Sequence, residues 1–99
     1  MKKYRYRLLI AGNVLRIGFR HQVLIFANLT GVAGFAGYVG STVFIEAEGL
    51  PEQLAPFVEW CKKGPEGCVI SKFEILEIPP LNSESFVIYP NLIPVLQTE

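Results

Sequence analysis

The chain has 99 residues, 51% of them hydrophobic, and its nine basic and nine acidic side chains cancel. A chain of this length buries roughly two-thirds of its unfolded surface, so it forms one compact domain, and the balanced charge removes the clustered excess of Lys and Arg that gives a nucleic-acid binder most of its affinity. No apolar run approaches the ~20 residues that span a bilayer and no signal-peptide core follows the N-terminus, so a cytoplasmic protein with neither nucleic acid nor membrane as partner is expected. Lys2-Lys3-Tyr4-Arg5-Tyr6-Arg7 alternates charge with aromatics, as the solvated face of a half-buried edge strand does, and apolar positions carry that strand from Tyr4 to Val14.

Gly12-Asn13-Val14-Leu15-Arg16-Ile17-Gly18-Phe19-Arg20 then has the layout of an anion-binding turn. Exposed backbone N–H groups and the positive end of a helix dipole favour phosphate or carboxylate, and a guanidinium adds a planar fork for two oxygens. The helix runs from Phe19 to Thr30, with Phe19, Val23, Phe26, Ala27 and Thr30 at spacings of three and four and Gly31 as its C-terminal cap. Gly34 to Val39 and Val43 to Glu48 read as a hairpin turning at Gly40-Ser41. Pro51 opens a second helix with an apolar stripe of Leu54, Phe57, Val58 and Cys61, and Glu52 and Lys62-Lys63 match its dipole at the two ends. Gly64-Pro65 stops it. Val69 to Ile78 alternates as a long strand, Ser85 to Tyr89 makes a short one, and the residues after Pro90 form a proline-rich tail expected to lie on apolar surface.

Cys61 and Cys68 are too few for a disulfide scaffold and lack the further ligands of a tetrahedral metal site; they read as small core residues, with a disulfide as the alternative. The one histidine, His21, follows Arg20 in the turn and gives neither cysteine a nucleophile's partner. Trp60 and Phe57 are expected in the core.

The order of elements is that of the split βαβ, ferredoxin-like α+β fold, with two helices on one face of an antiparallel sheet. Such a fold hosts many functions. Several blocks in this chain resemble the acylphosphatase family: Gly12-x-Val14-x-x-x-Gly18-Phe19-Arg20 is similar to G-x-V-Q-G-V-G-F-R, Gly31-Val32-Ala33-Gly34-Phe35 to G-L-x-G-W, and Glu48-Gly49 to the end of A-E-G. Phe57-x-x-Trp60 with Gly64-Pro65 resembles F-x-x-W-x-x-x-G-P, and Phe86-x-Ile88 resembles the final strand. The resemblance covers Tyr6 to Tyr89, so residues 1–90 are expected to form the acylphosphatase-like domain and 91–99 the tail. It implies hydrolysis of the carboxyl–phosphate bond of acyl phosphates without metal, cofactor or covalent intermediate. Backbone N–H groups of the loop Leu15, Arg16, Ile17, Gly18, Phe19 and Arg20 would hold the phosphate, with Arg20 as the catalytic arginine pairing with its oxygens.

Two places differ from the family pattern. Tyr38 stands where the family has an asparagine that orients the attacking water, and the hairpin after it is one residue shorter. Tyr38 has two readings, a β-sheet aromatic or a phenol that places the water as a second catalytic group. Leu15 and Arg16 replace the family's Gln and first Gly; Arg16 is either strained by about 1 kcal/mol or a second cation for a dianion. The expected partner is a small acyl phosphate or inorganic phosphate. The alternative to a hydrolase is a degenerate member of the fold that binds an anion in a regulatory or interaction role. A monomer is expected, with the edge strand or the tail as the route to a dimer.

Overall fold

The computed structural model describes residues 1–13 and 18–89. Its elements are β1 (Tyr4–Asn13), α1 (Phe19–Thr30), β2 (Ala33–Val39), β3 (Thr42–Gly49), α2 (Pro51–Lys63), β4 (Val69–Ile78) and β5 (Phe86–Ile88). The strands lie in the order β4-β1-β3-β2-β5. β1 pairs antiparallel with β3 and β4, β2 pairs antiparallel with β3, and the short β5 adds parallel to β2, so one edge makes the sheet mixed.

Local signals set the helix ends. Gly31 takes φ 80 and its N–H donates to the Ala27 carbonyl, which closes α1 in the left-handed cap that glycine favours. Proline at the first position of α2 needs no backbone hydrogen bond, and Glu52 and Lys62-Lys63 complement the dipole. Pro56 also sits within α2, on its exposed side.

Leu8 and Ile10 of β1, Val43, Ile45 and Ala47 of β3, Ala36 of β2 and Phe86 of β5 point to one face of the sheet, where Phe19, Val23 and Ala27 of α1 and Leu54, Phe57 and Cys61 of α2 cover them. Burying each of the large side chains among these contributes roughly 1.5–3 kcal/mol relative to leaving it exposed. Phe57 belongs to this core as expected, but Trp60 sits at its margin, stacked on Phe26 with centroids 5.2 Å apart. Cys61 is buried, Cys68 is half-buried against the core, and both are free thiols rather than a disulfide.

The reading of β1 as a solvated edge strand is overturned. β1 lies inside the sheet, and Arg5 is 2% exposed. Its Nε donates to Glu46 and its Nη1 to Glu48 and to Ser83 Oγ, each at 2.9 Å. Arg7, half-exposed, donates from Nη2 to the other Glu46 oxygen at 3.0 Å and lies over the Phe44 ring. Alternation of charge and apolar groups here marks an interior strand with one apolar face on the core and one ion-paired face. Among the described residues no helix is long and apolar enough to cross a membrane.

Candidate functional site

β1 and β2 both run antiparallel to β3, so their C-terminal ends lie at the same end of the sheet, together with the end of β5 and the start of α1. Gly18 begins α1 with φ 70 and ψ 30, a left-handed conformation in which a side chain is strained, and its carbonyl accepts the Gln22 N–H at 3.0 Å. Among the described residues no side chain caps this helix start, and its first turn contains no acid. The first backbone N–H groups of a helix lack partners within it, so this end offers donors and a positive dipole to an anion. Phe19 anchors the turn: it is fully buried and packs against Trp60 with centroids 5.8 Å apart.

Arg20, the next residue, turns away from the core toward β2 and β5. Its Nη1 donates to the Tyr89 carbonyl at 2.8 Å, and its Cζ stands 4.3 Å from the centroid of the Tyr38 ring. Tyr89 is fixed in turn by its N–H, which donates to the Ala36 carbonyl at 2.8 Å and extends the β5–β2 ladder. Its ring meets Phe35 edge-on at 5.8 Å. Tyr38 pairs with Val43 across β2–β3 and packs against the core, half-buried. A cation at a helix N-terminus opposes the dipole, and here a π face and a carbonyl oxygen compensate it without neutralising its charge.

The structure thus brings Gly18, Phe19, Arg20 and Tyr38 together, while Leu15, Arg16 and Ile17 lie outside the described residues, as does the tail from Pro90 onward. His21 is exposed on the first turn of α1. Asn82, at the opposite end of β3, donates its backbone N–H to Glu48 at 2.9 Å and has no place at the helix start. Sequence reasoning missed the Tyr89 carbonyl, because a backbone acceptor 69 residues from Arg20 carries no residue-type signal. Among the described residues no group of His, Cys, Asp or Glu side chains is arranged to hold a metal ion.

Comparison with known proteins bears on the family and the fold. The family model described as Acylphosphatase matches residues 6–88. The chain is 34% identical over 76 residues to an acylphosphatase of Marinobacter nauticus, covering 76% of this chain and 83% of that protein. It is 33% identical over 89 residues to that of Thermotoga maritima, covering 89% and 97%. The crystal structure of acylphosphatase from Bacillus subtilis superposes with a TM-score of 0.82 at 28% identity, over 87% of this chain and 98% of that one. With the family model spanning residues 6–88, relatives above 30% identity over most of both chains and the same fold in a solved acylphosphatase, the chain belongs to the acylphosphatase family.

Proposed function

We propose that this protein hydrolyses the carboxyl–phosphate bond of small acyl phosphates, with the phosphoryl group seated at the start of α1. In this reading the first-turn N–H groups after Gly18 and the Arg20 guanidinium take its oxygens, and residues 15–17 complete the loop. Water attacks phosphorus, the carboxylate leaves with the electron pair of the P–O bond, and the proton of the water passes to solvent. A carboxylate is a good leaving group, so holding the phosphoryl group, stabilising its equatorial charge and admitting one water suffices without a strong general base. The observation that carries this reading is an arginine fixed beside a helix N-terminus whose first turn holds no acid and which no side chain among the described residues caps.

A second reading, anion binding without turnover, is favoured by one observation: the Tyr38 ring lies against Arg20 at the position where the family pattern has a water-orienting asparagine. Continuous assay of benzoyl phosphate hydrolysis, beside Arg20→Ala and with inorganic phosphate as a competing ligand, separates the two. Turnover that disappears in Arg20→Ala supports the hydrolase. Heat protection by phosphate with no turnover above that of Arg20→Ala supports the binding protein. No protection and no turnover defeats both.

A further inference from the structure

We infer that Tyr38 is a positioning residue, whose ring face rather than hydroxyl aims the Arg20 guanidinium at the phosphoryl group. This rests on the assignment of Arg20 to that group in the proposed function.

The Arg20 Cζ lies 4.3 Å from the ring centroid, well inside the roughly 6 Å within which the negative face of a tyrosine attracts a cation. The Nη1 hydrogen bond to the Tyr89 carbonyl fixes one corner of the same planar group. A plane held on one face and at one corner has little rotation left, so its other N–H donors keep a constant direction. Ring and carbonyl also share a support. Tyr89 hangs on Ala36 of β2 through its backbone N–H, and Tyr38 lies two positions further along that strand. The end of β2 therefore carries both contacts as one unit.

The chemical nature of this grip matters. A carboxylate would hold Arg20 more strongly, but it would compete with phosphate for the same N–H donors and cancel the charge that attracts the anion. An aromatic face leaves the in-plane donors to the ligand and leaves the cation charged. The long side chain, which faces the positive end of α1, is thereby ordered before the ligand arrives.

The test compares wild type, Tyr38→Phe, Tyr38→Leu and Arg20→Ala by inorganic phosphate affinity and by the ring-current shift of the Arg20 side-chain protons, which reads the contact whether or not phosphate binds. Tyr38→Phe is expected to keep the shift and to bind phosphate within about twofold of wild type, whereas Tyr38→Leu loses the shift and binds about 2- to 30-fold more weakly. Binding by Tyr38→Leu equal to wild type, or binding by Tyr38→Phe as weak as that of Tyr38→Leu, overturns the inference and leaves the assignment of Arg20 standing. Unchanged binding by Arg20→Ala removes that assignment and the inference with it, and the ring-current shift of the wild-type protein then marks the contact as purely structural.

Discussion

Arg5 and Glu48 pair across the central strands β1 and β3, with Nη1 and Oε1 2.9 Å apart and side chains only 2% and 1% exposed. Glu48 does more than balance this charge. Its carboxylate also accepts the backbone N–H groups of Leu81 at 2.8 Å and Asn82 at 2.9 Å, which ties the segment joining β4 to β5 onto the end of the sheet. That segment brings β5 and Tyr89 to the far edge of the sheet, so the ion pair at one end supports the arginine contact at the other.

Breaking a buried ion pair on one side leaves an uncompensated charge, so Glu48→Gln is expected to cost about 3 kcal/mol at neutral pH. Burial pushes the Glu48 carboxyl up, but hydrogen bonds from Leu81, Arg5 and Asn82, with the Arg5 charge, outweigh it and hold the group below its ordinary value. A lowered folded-state value means the contribution is intact above the unfolded-state pKa of about 4.3 and is lost as pH falls through the folded-state value. Urea unfolding at pH 7 and pH 3 checks this: wild type should lose more stability on acidification than Glu48→Gln, and equal losses would refute the assignment.

Two glycines with positive φ separate close approach from mere backbone preference. A Cβ on Gly34, at φ 133, would stand 1.9 Å from the Glu46 carbonyl oxygen, whereas a Cβ on Gly40, at φ 62, meets nothing within 4 Å. Gly34→Ala is expected to destabilise by about 3 kcal/mol or more through strain and strand displacement, and Gly40→Ala by about 1 kcal/mol through conformation alone. Denaturant midpoints of the two variants, measured side by side, give the ranking.

Burial pushes the thiols of both cysteines above their ordinary value, and Cys61 much the further. Since the thiolate is the reactive form, brief alkylation of the native protein at pH 8 should label Cys68 ahead of Cys61, which reacts only on unfolding. Mass spectrometry of the labelled peptides reads the order, and prompt labelling of Cys61 would contradict its place in the core.

Arg20→Lys keeps the positive charge and loses the planar fork that lies on the Tyr38 ring and donates to Tyr89. Phosphate affinity is expected to fall about tenfold, since an ammonium reproduces neither the stacking nor the paired donors. Equal affinity of the two proteins would reduce Arg20 to a point charge.

The elements themselves were legible because their signals are local. Gly31 and Pro51 mark helix ends within a turn of chain, and Phe19–Thr30 is a helix over the same span that its apolar spacing predicts. The order of strands and helices then implied the fold, and the blocks around Gly18, Gly34 and Trp60 the family. The position of a strand within a sheet is another kind of information. β1 reads as an edge from its charges, yet its interior place is set by pairing with β3 and β4, and Arg5 is buried because Glu46 and Glu48 approach it from 41 and 43 residues away. At the site, sequence alone singled out Arg20 and Tyr38 separately. Only the pairing of β2 with β3 and β5, which sets the Tyr38 ring and the Tyr89 carbonyl beside the first turn of α1, turned them into one arrangement. Backbone propensity and hydrophobic period act over a few residues, so they determine elements; contacts between charges, rings and carbonyls far apart in the chain exist only once the whole sheet has formed.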